Sequence, residues 1–321
     1  MTMSFYCSRK SRSMSWVPWE HAMPVDGPAW EKAGWPDPTG LLQGLWGVLV
    51  GHAAVMLYYL FRRWRDKECM YAESPKKPSY LQGMKTHFSK PEGITMVFGY
   101  LCSVWMFRLM PQSYYNLTEP LRWQNVAAQF VVVDFFIYLM HLFEHMWRPL
   151  YRKSHKALHF FLNPTLFNAF DGAFADTFGL ILIPLISMAW VLPLVFGVQV
   201  HHADFACFGC IYANQFMLIH SEYRNPWDWF LEMLSIGTSA DHAVHHICFT
   251  KNYGHFFMWY DKAFGTYRAP SSVPSLWLHP ETGCLKVRDE AAAVPAPEKG
   301  PATASAARAT PKPRSTTPRR R

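Results

Sequence analysis

Long apolar runs constrain the fold of this chain more than any other feature of its sequence. They cover residues 40–61, 94–110, 126–143, 178–200 and 205–219. A helix of about 20 apolar residues spans the bilayer core, where every backbone N–H and C=O must be satisfied inside the element. The runs predict an all-α, multi-pass membrane helix bundle with about four to five spanning helices. Pro184 and Pro193 predict a kink in the fourth of them.

Composition supports this class. Charged residues make up 17% of the chain, whereas about 25% is usual in a soluble domain. The net charge of +8 is concentrated after residue 287, where eight Lys or Arg accompany three Asp or Glu. The basic balance therefore describes a tail, solvated or facing anionic lipid, and no nucleic-acid partner is expected. We divide the chain into an irregular segment (1–38), a membrane domain (39–270) and a disordered basic tail (271–321).

A basic cluster fixes the expected orientation. Arg62, Arg63, Arg65 and Lys67 directly follow the first apolar run. The positive-inside rule places that end of the helix in the cytosol. If the following runs alternate in direction, residues 144–165 and the end of the last run also face the cytosol.

Histidines gather in four clusters at these predicted cytosolic ends. The clusters contain His141 and His145; His155 and His159; His220; and His242, His245 and His246. Residues three or four apart share one face of a helix, so each cluster can aim its imidazoles at one point. Imidazole suits iron, zinc, copper or nickel, and eight imidazoles exceed the needs of one ion and match two. A single such pair is common on ordinary helices, but four clusters at one membrane depth indicate a metal centre in a cytosolic helical cap. His201 and His202 fall at the opposite turn and are excluded.

These motifs resemble the sterol desaturase / fatty acid hydroxylase superfamily of membrane di-iron oxygenases. The resemblance covers residues 94–270 and is clearest at 134–145, 151–165 and 239–267. Asp-Phe-x-Ile-Tyr from Asp134, Asn-Pro-Thr from Asn163 and Asn-Tyr-Gly from Asn252 resemble the sterol C5-desaturase branch. The resemblance implies two Fe ions (Fe²⁺/Fe³⁺) as cofactor and O₂ as co-substrate. It implies electrons from cytochrome b5 and an NAD(P)H-dependent reductase, which fits the lack of a Gly-rich nucleotide fingerprint in the sequence.

The sequence departs from the family pattern at two positions. Leu158 stands where the second histidine box has its middle His, and Ala173 stands where a further His is usual, although the acidic residue after it is kept as Asp176. The eight histidines above remain the expected ligands. A carboxylate, an amide or water could fill a gap, but Glu144, Glu222 and Asp241 are more typical of supporting or surface groups. Asp134, Tyr138 and Asp241 are the candidates to orient the imidazole rings.

The predicted activity is O₂-dependent desaturation or hydroxylation of a lipid at the endoplasmic reticulum membrane, with the active site facing the cytosol. A sterol is the expected substrate, and hydroxylation of a fatty acyl or sphingoid chain is the alternative. An alternative of another class is a non-catalytic lipid-binding protein with a degraded metal site, motivated by Leu158 and Ala173. A zinc hydrolase would require an H-E-x-x-H or similar motif, which the sequence lacks.

Overall fold

The computed structural model describes residues 36–66, 79–160, 164–278 and 285–287. The helices are α1 (Gly40–Arg65), α2 (Tyr80–Ser89), α3 (Met96–Met106), α4 (Trp123–Met146), α5 (Arg148–Lys153), α6 (Phe174–Thr177), α7 (Ile183–Phe196), α8 (His202–Ile219), α9 (Asp228–Met233), α10 (Ser239–Cys248) and α11 (Trp259–Ala263). Short 3₁₀ turns cover Gln112–Tyr115, His155–Phe160, Leu166–Asn168 and Pro270–Ser272, and π-helical turns cover Pro91–Thr95 and Phe178–Leu182.

Three helices are long and apolar enough to cross a membrane: Gly40–Arg65, Trp123–Met146 and the continuous segment Phe174–Phe196. The other two apolar runs form helices as well, but α3 has only 11 residues and α8 has 18. Pro91 precedes α3, and Arg108 adopts a left-handed conformation (φ 50°) just after it, so the regular helix is short. The helical membrane fold is confirmed, with three spans by length and composition in the described part of the chain.

The third of these spans contains the predicted irregularity. Pro184 lies at the start of α7, immediately after the π-helical turn Phe178–Leu182. A proline lacks the N–H that a regular helix needs, and a π turn is one way to absorb this loss. Pro193 lies inside α7, which ends at Gly197 in the left-handed region (φ 66°).

The helical segments alternate in direction. The Asp37 amide, just before α1, donates to the carbonyl of Met106 at the end of α3, so these two helices run antiparallel. α8 packs along α1 in the same direction, because His202 contacts the Gln43 carbonyl near one end and Asn225 contacts Tyr58 near the other. α4 packs against α7 and α8. The C-terminal ends of α1, α4 and α8 therefore lie on one side, together with the start of α6.

The described chain continues beyond the helices in one small sheet. Strands β1 (Leu276–Leu278) and β2 (Leu285–Val287) pair antiparallel, with Leu276 opposite Val287. The Leu285 amide donates to the Glu222 carbonyl oxygen at 2.8 Å, so part of the segment predicted to be tail packs on the membrane domain. Residues 288–321 and 1–35, including the predicted irregular segment up to residue 35, lie outside the described residues.

Candidate metal centre

Four segments bring their histidines to one side of the bundle. The last turns of α4 carry His141 and His145, and the 3₁₀ turn after α5 carries His155 and His159. α8 ends at His220. α10 carries the remaining three, and Thr238 caps it by accepting a hydrogen bond from the Asp241 amide. The structure thus brings together all eight histidines that the sequence predicts as ligands.

The imidazoles form two groups. The first contains His141, His145, His155 and His245, and the second contains His220, His242 and His246; within each group the ligand nitrogens lie within 4.8 Å of one another. In the second group, the His242 Nε2 is 3.0 Å from that of His220 and 3.2 Å from that of His246.

His159 links the two groups. Its Nε2 lies 3.3 Å from that of His145 and 3.2 Å from that of His245. Its ring centroid is 5.1 Å from that of His246 in the second group. The eight imidazoles therefore form one continuous cluster, in which His159 connects a group of four to a group of three.

The hydrogen bonds of the ring Nδ1 atoms leave Nε2 lone pairs that can bind a cation. His141 Nδ1 donates to the Tyr253 carbonyl oxygen at 2.8 Å, and His155 Nδ1 donates to Asp176 Oδ1 at 2.6 Å. Each neutral ring then has a bare lone pair on Nε2, yet these two Nε2 atoms are only 3.0 Å apart. Two lone pairs cannot hydrogen-bond to each other. Nitrogens about 2.1 Å from one divalent ion and at right angles to each other lie about 3 Å apart, so a shared metal fits this geometry.

Backbone carbonyls fix two more rings in the same way. His245 Nδ1 donates to the Lys251 carbonyl oxygen and His220 Nδ1 to that of Phe216, each at 2.8 Å. A hydrogen bond of this kind sets the tautomer and leaves Nε2 for the metal. The residues present therefore fit a metal centre bound through imidazole nitrogens.

Burial favours the neutral form of four of the imidazoles, and metal ligation requires that form. It lowers the pKa of His220 to about 4 and lowers the pKa values of His159, His242 and His245 as well. Desolvation of the charged form is the main cause in each case, and neighbouring imidazoles add repulsion.

Two buried carboxylates stand behind His155. The Asp176 oxygen accepts its hydrogen bond, and Glu144 Oε2 lies 3.6 Å from the same Nδ1. Glu144 is only 1% exposed, although its sequence position is also typical of a surface group. Glu144, His155 and Asp176 could together hold a cation, since their ligand atoms lie within 4.8 Å of one another. Carboxylates in this position raise the basicity of the imidazole they orient.

The three residues predicted to orient the rings contact other groups in the described structure. Asp134 accepts hydrogen bonds from the amides of His255, Phe256 and Phe257 (2.8–3.1 Å). Tyr138 contacts the Thr266 hydroxyl at 3.3 Å. Asp241 accepts from Thr238 at the start of α10 and from the Tyr267 hydroxyl. Within the described residues, none of the three side chains hydrogen-bonds to an imidazole, and Asp134 and Asp241 instead fix the backbone of segments that carry imidazoles.

His201 and His202 lie at the other end of α8, which as an 18-residue helix is about 27 Å long. The His202 ring contacts the Gln43 carbonyl oxygen, and the His201 amide donates to Asp204. Neither belongs to the imidazole cluster.

His255 is a further cluster residue that sequence reasoning missed. It is 5% exposed, and its ring centroid lies 5.3 Å from that of His141. It has no histidine three or four residues away on a helix, so the spacing argument could not find it. The sequence feature that could have pointed to His255 is its position directly after the Asn-Tyr-Gly motif.

Comparisons with known proteins agree with this centre. The model of the fatty acid hydroxylase family matches residues 126–266, which contain every imidazole of the cluster. An alternative squalene epoxidase from Phaeodactylum tricornutum is 41% identical over 244 residues, covering 74% of this chain and 68% of that protein. This chain belongs to the fatty acid hydroxylase family.

More distant relatives match a shorter part of the chain. A Delta(7)-sterol-C5(6)-desaturase from Nicotiana tabacum is 29% identical over 146 residues, 45% of this chain and 49% of that protein. A cholesterol 25-hydroxylase-like protein from Danio rerio is 29% identical over 147 residues, 44% of this chain and 55% of that protein. No solved structure matches the chain. The family resemblance and the enzyme class inferred from the sequence are confirmed: the protein is a membrane lipid oxidoreductase of an iron-dependent family.

The two residues that depart from the family pattern, Leu158 and Ala173, lie in different surroundings. Leu158 is buried and lines a chamber beside His220 and His255. Ala173 precedes α6, and its amide donates to the Ser154 carbonyl oxygen. Both positions lack an imidazole, but the structure still gathers nine buried or half-buried histidines around them.

Proposed function

We propose that this chain is an O₂-dependent di-iron enzyme that oxidises a long apolar lipid, and that its substrate is squalene, which it converts to the epoxide. The observation that carries this proposal is a mainly apolar cavity in the helical bundle, which adjoins a small chamber beside the imidazole cluster. Squalene is a hydrocarbon without a polar atom, so a mainly apolar wall suits it.

The cavity lies between four helical segments. Val48 on α1, Val97 on α3, Leu185 on α7 and Tyr212 on α8 contribute to its wall, which is mainly apolar and also includes His52. It encloses about 40 Å³. Ligand pockets typically hold about 300–1,000 Å³, so side chains along the wall would have to move apart to admit a long substrate.

A second chamber lies between the cavity and the cluster. Phe170, Ile181 and Phe216 line both spaces. The chamber is small, about 10 Å³, and His220 and His255 form part of its wall. An extended chain in the cavity would therefore present one end to the cluster.

The relative from Phaeodactylum tricornutum supports squalene as the substrate, because its identity of 41% extends over 74% of this chain. Epoxidation consumes O₂, a pair of electrons and a pair of protons, and gives the epoxide and water. Two bound Fe ions would supply the activation of O₂ and the oxidation of the alkene. We assign His141, His145, His155, His159, His220, His242, His245 and His246 as their ligands.

The remaining groups of the chain prepare this site. Asp176 and the Tyr253 carbonyl hold the protons of two rings on Nδ1, which keeps Nε2 free for a metal. Burial favours the neutral form of His220, and the enclosed chamber beside it excludes bulk water from the place where the alkene end would lie.

We also propose the setting of the reaction. The cluster lies at the same end of α1 as Arg62, since Arg62 contacts the Arg224 carbonyl a few residues after His220. The positive-inside rule then supports a site facing the cytosol, at the endoplasmic reticulum membrane. Electrons would come from cytochrome b5 and an NAD(P)H-dependent reductase.

A second candidate is desaturation of a sterol at C5(6). The observation that favours it is the match to Delta(7)-sterol 5(6)-desaturases from Nicotiana tabacum and from Gibberella zeae, the latter 32% identical over 138 residues. Hydroxylation of a fatty acyl or sphingoid chain is a third product class of the same centre.

The test is conversion of defined lipids by membranes that contain the full chain, with O₂, cytochrome b5, its reductase and NADH. Squalene, a Delta(7)-sterol and a fatty acyl lipid are offered separately, and products are identified by mass spectrometry. We expect squalene epoxide. A sterol diene or a hydroxylated acyl chain without any epoxide would contradict the squalene assignment.

A cavity variant separates substrate access from metal binding. Ala213 lines the apolar cavity, so Ala213→Phe should block the substrate and lower squalene turnover at least about 10-fold without loss of iron. Val195→Phe is the matched control, because Val195 on α7 is 61% exposed at the outer surface of the helix. Equal turnover in both variants would show that the substrate takes another route.

A further inference from the structure

His255 lies at the boundary between the two imidazole groups. Its ring centroid is 5.3 Å from that of His141 in the first group and 5.7 Å from that of His242 in the second. The side chain is 5% exposed. A ninth imidazole therefore packs into the cluster from a segment that contributes no other histidine.

The backbone around His255 is held rigidly by two carboxylates. Asp134 accepts hydrogen bonds from the amide of His255 and from the two amides after it. Asp261 accepts from the amides of Tyr253 and Gly254 at 2.9 and 2.8 Å. A Cβ on Gly254 would collide with the Phe257 carbonyl oxygen, so only glycine allows this tight path. The turn delivers the imidazole to a defined place.

The imidazole has a nitrogen without a partner. His255 Nδ1 is buried and has no hydrogen-bond partner among the described residues. The ring also lines the chamber that contains His220 and Leu158. A buried polar atom without a partner is costly, and a bound cation is one way to offset that cost.

The distribution of imidazoles shows where such a cation would need a ligand. Four rings form the first group and His159 links it to the second, which has only His220, His242 and His246. Leu158 presents an apolar side chain to the chamber on this side. His255 is the remaining histidine that faces both the chamber and the second group.

We propose that His255 is a metal ligand, and that it completes the second ion site together with His220, His242 and His246. The inference rests on the proposed function in one respect: the cluster holds two ions. Asp134 then serves the centre by fixing the turn that carries this ligand.

The test is the iron content of the full chain, purified anaerobically in detergent and reconstituted with Fe²⁺. His255→Ala is compared with His87→Ala, a matched control. His87 is 2% exposed, its Nδ1 faces the Phe167 carbonyl oxygen, and it lies outside the cluster. We expect about two irons per wild-type chain and per His87→Ala chain, and about one per His255→Ala chain.

Added imidazole provides a second measurement. The cavity left by His255→Ala can admit free imidazole, which should return iron to the variant and leave the His87→Ala chain unchanged. If His255→Ala does not fold, His255→Gln keeps the side-chain volume and is measured in the same way. About two irons in a folded His255 variant would overturn the proposal, as would an iron loss that imidazole does not reverse.

The readout is independent of the substrate. If the wild-type chain binds two irons and His255→Ala binds one, the ligand assignment stands even when squalene is not converted. A wild-type chain that binds only one ion overturns the assignment, whereas lipid oxidation is then decided by the turnover assay alone.

Discussion

The position of single protons decides whether the histidine cluster can bind a metal. His245 illustrates this: its Nδ1 donates to the Lys251 carbonyl oxygen, and its Nε2 faces that of His159 at 3.2 Å. The ring is buried and neutral, so Nε2 offers a lone pair that the neighbouring lone pair repels in the absence of a cation.

His245→Ala should therefore remove iron and abolish lipid oxidation, because the first ion loses a ligand at the centre of its group. Iron per chain, measured by elemental analysis, is the direct readout. The double variant His201→Ala/His202→Ala is the control, since both rings lie at the far end of α8. Loss of iron from the double variant would contradict the topology described above.

Asp134 is the residue that fixes the turn beyond the cluster. Its carboxylate is fully buried and is the acceptor for three backbone amides. Asp134→Ala leaves these amides unpaired, at a cost of about 1–3 kcal/mol each, so unfolding should become easier by about 3 kcal/mol or more. Thermal unfolding in detergent measures this change. Asp134→Asn keeps one carbonyl oxygen as an acceptor, so its stability should lie between that of Asp134→Ala and that of wild type. Equal stability of all three proteins would show that Asp134 does not stabilise the turn.

At the scale of elements, α1 and α8 approach each other so closely that glycine is required. A Cβ on Gly51 would collide with the Cys210 carbonyl oxygen, and one on Gly47 with the Ala206 carbonyl oxygen. Small residues at such spacing let helix backbones pack directly in membranes. This contact keeps the two helices parallel and brings the end of α8, with His220, beside the end of α1.

Gly51→Ala should push α1 away from α8 and lower stability by about 1–3 kcal/mol, the usual range for overpacking. Gly99→Ala is a matched control on α3, where a Cβ would meet no atom within 4 Å. The stability of Gly99→Ala should equal or slightly exceed that of wild type, because alanine has a higher helix propensity than glycine. Comparison of the thermal midpoints decides the point, and equal losses in both variants would count against the close packing.

α9 begins at a buried carboxylate that gives a specific pH dependence. Asp228 accepts a hydrogen bond from the Asn225 amide, but burial dominates and raises its pKa to about 6. The unfolded value is about 3.9. Between these values the folded state holds a proton that the unfolded state has released, so this group adds stability as the pH falls from about 6 to about 4.

The difference in thermal midpoint between wild type and Asp228→Asn isolates this effect, because the variant cannot titrate there. The thermal midpoint of wild type should rise relative to that of Asp228→Asn as the pH is lowered from about 7 to about 5. A constant difference across that range would show that the folded pKa of Asp228 is not raised.

For the whole molecule, the sequence allowed prediction of the helices and of most of the cluster. Helical spacing joins His141 to His145, and hydropathy places residues 126–143 within α4. These are local patterns, and a single chain displays them directly. The alternation of helix direction then places the remaining clusters on one side.

The unpredicted parts depend on contacts between distant segments. His255 reaches the cluster only because Asp134, 121 residues earlier, holds its turn. Glu144 is buried because α6 brings Asp176 against the same imidazole. The chain beyond residue 270 forms β2, whose amide meets Glu222. No periodicity within one segment encodes these contacts.

The central claim is that one chain holds two irons through its histidine cluster. The most direct test is iron per chain, by elemental analysis of the full-length protein purified anaerobically in detergent. We expect about two irons per chain. One iron or none after reconstitution would contradict the di-iron account and favour a lipid-binding role, with Leu158 and Ala173 as the residues that removed the second site.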